Sequence, residues 1–153
     1  MPDRLVRRIL APVELSETEA PDLTYAIRLA AQLHAELMLL AVIDTPATVN
    51  LIGKHRATAG AEGENFTSSL LADAKGIVQS LVDRASQEGV KALGHVIMNE
   101  EVEEQILKEA LVQRVDLILV RSKGRGTLMK ALLGSTAGEI LKAAPCPVLV
   151  ARA

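Results

Sequence analysis

Uninterrupted short apolar runs alternate along this chain with longer amphipathic stretches, and that alternation limits its architecture before anything else does. "RRILAPVE", "ELMLLAVID", "VKALGHVIM", "VDLILV" and "CPVLVAR" are each dominated by aliphatic residues. A strand wetted on one face alternates apolar and polar residues, whereas a strand covered on both faces reads as a near-continuous apolar run. Between the first two runs, Leu23, Ala26, Ile27, Ala30 and Leu33 recur at helical spacing. Ser16 with Glu19 matches a capping box, while Pro21 suits a first turn, so this helix is expected to begin between Thr18 and Pro21. Phe66, Leu70, Ala74, Ile77, Val78, Leu81 and Ala85 predict a long helix closed by a left-handed Gly89. "NEEVEEQILKEALVQR" predicts another, capped by Asn99, with acids in its first turn and an inner stripe of Val102, Ile106 and Ala110. A short helix is expected from about Thr136 to Ala144. Residues 44–65 lack sustained periodicity and read as a long loop, of the kind that is usually functional or mobile.

Strands separated by helices imply a parallel sheet with helices on both faces, an α/β sandwich of three layers. The 153 residues suffice for one core without disulfides or metal, and with no internal repeat or linker they are expected to form a single domain, 1–153. Seventeen basic against nineteen acidic side chains leave no excess to neutralise a nucleic-acid backbone, and one tyrosine and one phenylalanine offer bases little to stack on. The lone Cys146 fits a reducing compartment. The basic start is followed by an apolar run too short for a signal peptide, and no apolar stretch reaches membrane-spanning length, so the expected location is the cytoplasm.

Ligands of parallel α/β sheets sit beyond the carboxyl ends of the strands. The residues there are Glu14, Asp44, Asn99 and a loop opening at Arg121. In "RSKGRGTLMKALLGST", glycine permits close approach of the main chain to an anion, and the helix start near Ser135 and Thr136 supplies free amides. Lys123, Arg125 and Lys130 add positive charge. The same glycines could simply turn the chain, with Ser135 or Thr136 capping a helix. No GK[ST] triplet follows, so this is not a Walker loop. His34, His55 and His95 lack metal-ligand spacing, and no metal site is expected. Cys146, between two prolines, reads as a packed side chain rather than a nucleophile. Ser16 and Ser122 belong to no recognisable triad motif, and no catalytic residue is assigned. The apolar fifth strand begins near Pro147 and reads as a sheet edge that a second copy could cover, which predicts a homodimer through Val148–Arg152.

"ILAPVELSE", "VDLILVRSKGRGTLMKALLGSTA" and "APCPVLVAR" together resemble the universal stress protein (UspA) family, from the first strand to the chain end. The resemblance implies a five-stranded parallel sheet in the order 3-2-1-4-5, dimerisation through strand five, and ATP or another adenine nucleotide as ligand. In ATP-binding members the loop reads Gly, two residues, Gly, nine residues, Gly, then Ser or Thr. Gly124, Gly134 and Ser135 match its later positions, with Thr136 extending the polar run, but Arg121 replaces the first glycine. Pro12, Val13 and Val42 fall where members line the base and ribose, and Glu14 stands where an aspartate usually meets adenine.

The two replacements have opposite charges and would leave neighbouring strand ends. They could pair across the cleft and block it. Alternatively Arg121 faces solvent while Glu14 accepts from adenine or an amide, or Arg121 contacts a phosphate. The resemblance therefore implies a dimeric regulatory domain of the stress response with an altered nucleotide cleft, acting through protein contacts. An ATP, AMP or cyclic-nucleotide sensor using the Gly124–Thr136 loop is the alternative, and a slow nucleotide hydrolase a third.

Overall fold

The computed structural model describes residues 4–15, 21–43, 60–121 and 142–151, with residues 60–67 and 121 described in backbone only. The strands are β1 (Arg8–Pro12), β2 (Glu36–Ile43), β3 (Ala92–Met98), β4 (Leu117–Arg121) and β5 (Val148–Ala151). Three helices intervene: α1 (Thr24–Leu33), α2 (Gly60–Gln87) and α3 (Val102–Val112). All pairings are parallel, in the order β3-β2-β1-β4-β5, which is the expected order.

Side chains alternate across a strand, so each apolar run feeds two cores. Ile9 and Ala11 of β1, Leu37, Leu39 and Ala41 of β2, and Leu117 and Leu119 of β4 meet α1 and α2 on one face. Leu10, Met38, Leu40, Ile118 and Val120 point the other way, onto Ile106 and Ala110 of α3. Each fully buried Leu or Ile contributes about 1.5–3 kcal/mol, and that double burial explains the uninterrupted runs of β1, β2 and β4, whereas the outer strand β3 is half-buried to exposed throughout.

The register is fixed at the amino ends. Asp116 Oδ2 accepts the Arg7 and Arg8 amides at 2.9 and 3.0 Å, and Asp116 N donates to Arg8 O at 2.8 Å. Beside it Glu36 pairs with Arg8 at 3.0 Å and Lys91 at 3.3 Å, tying β1, β2 and the entry to β3. The Arg8 hydrogen bond, then that of Lys91, holds the Glu36 carboxyl below its ordinary range.

Several helix boundaries differ from expectation. α1 begins at Thr24, later than Thr18–Pro21, because Asp22 Oδ1 accepts both the Thr24 amide at 3.0 Å and its hydroxyl at 2.6 Å. That turn holds the chain out of the helix through Leu23. Ser16 and Glu19 lie outside the described residues. The C-cap is His34 in the left-handed region (φ 53°), with the Ala35 amide reaching back to Ala30 O at 2.9 Å.

α2 starts at Gly60, so residues 60–65 are helical rather than the end of a loop, while 44–59 lie outside the described residues. Glu and Ala sustain the helix there despite the glycines. Its inner stripe holds Ala74, Val78, Leu81 and Ala85, but Ile77 is 37% exposed because it lies at the margin of that stripe. Gly89 closes it at φ 79°, as expected. Asn99 is not the cap of α3; Glu101 is, and Asn99 Oδ1 accepts the Glu101 amide at 2.9 Å one turn earlier. The predicted stripe of Val102, Ile106 and Ala110 does face the core. The helix expected from Thr136 lies almost wholly outside the described residues.

Candidate functional site

The chain winds from β1 through β2 to β3 in one direction and from β4 to β5 in the other, so the winding reverses between β1 and β4. In open α/β sheets, ligands bind in a crevice at the carboxyl ends of the strands flanking such a reversal. Arg8 pairs with Glu36 and Pro12 with Leu40 on one side of β1, and Leu10 with Ile118 on the other. Continued at the same register, Val42 comes level with Glu14, and Arg121 with Val13. Pro12, Val13, Glu14, Val42 and the backbone of Arg121 thus gather at one end of the sheet.

Their environments differ. Val13 is 4% exposed, belongs to the core under α1, and donates its amide to Leu40 O at 2.7 Å. Pro12 and Val42 are half-buried, Val42 against the α3 side of the core with Ile97 and Val102. Glu14 is exposed. Arg121 ends β4 and pairs in register with Ala151 of β5. Gly124, Gly134, Ser135 and Thr136 lie outside the described residues, as do Asp44, Ser16, Ser122 and His55.

A second polar cluster went unread in the sequence. His95 Nδ1 of β3 lies 2.9 Å from Glu109 Oε1 of α3, and Gln113 Nε2 donates to the same oxygen at 3.3 Å. A carboxylate only accepts, so the His95 proton sits on Nδ1. Glu109 is 7% exposed and Gln105 9%; Gln105 Oε1 accepts from Asn99 Nδ2 at 2.9 Å. The available signal was Glu109 following the Ile106 position by three residues, which puts a charge on the helix's inner face. The cluster binds α3 to the outer strand. Among the described residues no group of three or more His, Cys, Asp or Glu could hold a metal ion.

Cys146 packs against the α3-side core, and burial, then the charge of Asp116, pushes its thiol pKa up. A thiol kept protonated is a poor nucleophile, in keeping with a packing role. No described helix is long and apolar enough to cross a membrane.

The pattern of the universal stress protein family matches residues 6–152. Universal stress protein MJ0531 of Methanocaldococcus jannaschii is 28% identical over 98% of this chain and 84% of its own length. Universal stress protein YxiE of Bacillus subtilis is 27% identical over 97% of this chain and all of its own. Among solved structures, MJ0577, from the same archaeon as MJ0531, superposes with a TM-score of 0.70 at 24% identity over 97% of both chains. A universal stress protein in complex with cAMP superposes at TM-score 0.63 and 17% identity, covering 96% of this chain and 97% of that one. An Arabidopsis thaliana family protein with AMP bound gives 0.63 at 16% identity, covering 95% and 91%. With the sheet order and these matches in agreement, the chain belongs to the universal stress protein family.

Proposed function

We propose that this protein is a regulatory domain of the stress response whose adenine-nucleotide cleft is narrowed by an ion pair between Glu14 and Arg121. The adjacency of β1 and β4 carries this reading, because it brings the ends of the two strands that bear these residues to one crevice. Opposite charges attract there, and both side chains are longer than the aspartate and glycine they replace, so the pair occupies the space of base and ribose. With the cleft narrowed, signalling passes through protein contacts. The exposed Val150 of β5, an edge strand, supports pairing with a second copy through Val148–Arg152.

A second reading makes the chain an adenine-nucleotide sensor. It is favoured by the AMP and cAMP bound to proteins of the same fold, and by Gly124, Gly134, Ser135 and Thr136, which keep the phosphate-binding part of the family's loop. Nucleotide carried through purification separates the two. The protein is purified natively and denatured, and the supernatant is read for adenine absorbance. A narrowed cleft leaves the supernatant clear; about one nucleotide per chain would establish the sensor. Slow hydrolysis, a third activity, would require phosphate release that disappears in Gly134→Trp.

A further inference from the structure

The sheet edge opposite β5 offers a different surface. β3 is outermost on that side, and its backbone groups divide by parity. Lys91 O accepts the Leu37 amide and Asn99 N donates to Ile43 O, so the odd-numbered residues face β2. The N–H and C=O of Ala92, Gly94, Val96 and Met98 therefore point away from the sheet, where no described strand pairs with them. The strand sequence, ALGHVIM, contains neither of the usual edge protections, a Lys or a Pro. A groove of about 370 Å³ runs along this edge, walled by Lys75 and Gln79 of α2 and by Gly94, His95, Val96 and Ile97 of β3.

The groove lining carries the cation of Lys75 and no carboxylate. The neighbouring carboxylates are already engaged: Asp83 accepts from Gln79 Nε2 at 2.9 Å, and Glu109 on the other face of β3 accepts from His95 and Gln113. On the α3 side, Leu93 is 50% exposed beside half-buried Ile97. An added strand would lay alternate side chains on these two unlike walls. Pairing β3 with its own copy would set one Lys75 wall against another, which disfavours a second copy.

We propose that the outer edge of β3 docks an extended acidic peptide by strand addition, its backbone bonding to Gly94 and Val96, its acidic side chains facing Lys75, and its intervening aliphatic side chains covering Leu93 and Ile97. Main-chain bonds supply the affinity and the two walls the selectivity. The surface lies across the sheet from β5 and does not depend on the nucleotide cleft.

The test titrates acetyl-Glu-Val-Glu-Val-Glu-Val-amide into the full-length protein while the amide resonances are followed. Binding should shift Gly94 and Val96 and slow their hydrogen exchange. Lys75→Glu, an exposed position, should weaken binding by about fivefold, and the lysine-for-glutamate peptide should bind less well. N-methylation of alternate peptide nitrogens should abolish binding without altering the protein. The proposal is overturned if these amides do not respond at millimolar peptide, or if binding survives both Lys75→Glu and N-methylation. It is equally overturned if the edge amides are already protected and lose that protection on dilution, which would assign the edge to a second copy.

Discussion

Gly94→Ala tests how closely α2 approaches the outer strand. A Cβ built on Gly94 would lie 2.2 Å from Val78 Cγ1 and 3.3 Å from Val82 Cγ2. Carbon atoms rest about 3.5–4.0 Å apart, so the first contact overlaps by more than about 1 Å. Val78 is 3% exposed, and a valine on a helix has one strongly preferred rotamer. Either its χ1 leaves that well or α2 shifts, and overpacking of this kind costs about 1–3 kcal/mol. Alanine gains back about 0.5–1 kcal/mol over glycine in the strand. The net expectation is a loss of about 1–2 kcal/mol, and each kcal/mol lowers Tm by about 2–4 °C in a domain of this size. Urea unfolding followed by circular dichroism measures it. In a Val78→Ala background the Cγ1 contact no longer exists, so adding Gly94→Ala should be neutral or stabilising, a coupling of about 1 kcal/mol or more. If Gly94→Ala is harmless in the native sequence, or equally harmful in both backgrounds, the close approach is not what selects glycine here.

Asp116→Ala leaves the Arg7 and Arg8 amides without their acceptor. It should cost about 1 kcal/mol by urea midpoint, at the low end because water reaches the Arg7 amide. Glu36 has a folded pKa below its ordinary 4.5. Its contribution is therefore present above the unfolded pKa and lost as pH falls through the lowered folded value. The decline of Tm with acid should accordingly be shallower in Glu36→Gln than in the native protein. Hydrogen exchange along β3 should alternate, with the Leu93, His95 and Ile97 amides protected and those of Gly94 and Val96 fast; uniform protection would refute the parity assigned to this strand.

The alternation of apolar runs and amphipathic stretches was enough to read out a parallel sheet, because strands buried on both faces carry an unbroken pattern that few other elements share. The strand order came from the resemblance of "ILAPVELSE" and the Gly124–Thr136 loop, not from periodicity. Helix starts were misread where a local side chain overrode the pattern. Asp22 captures Thr24 and delays α1, and Asn99 makes its bond one turn ahead of α3. Ile77 satisfies helical spacing yet lies at the margin of the stripe, which spacing alone does not resolve. Of the candidate site residues, Glu14 was named from its place just past an apolar run, whereas Pro12, Val13 and Val42 came from the family resemblance; the strand register brings all four to one end of the sheet. The core role of Val13 was not legible, since it depends on its amide reaching Leu40 of the neighbouring strand. The His95–Glu109 contact was hidden because it joins a strand to a helix through tertiary packing.

The central claim is that Glu14 and Arg121 meet across the crevice between β1 and β4 and keep nucleotide out. Calorimetric titration of ATP into the native protein and into the Glu14→Asp/Arg121→Gly double variant tests it most directly. A narrowed cleft predicts affinity at least about tenfold tighter in the double variant, equivalent to about 1.4 kcal/mol. Low-micromolar binding by the native protein, unimproved by the two substitutions, would contradict it and leave an adenine-nucleotide sensor in its place.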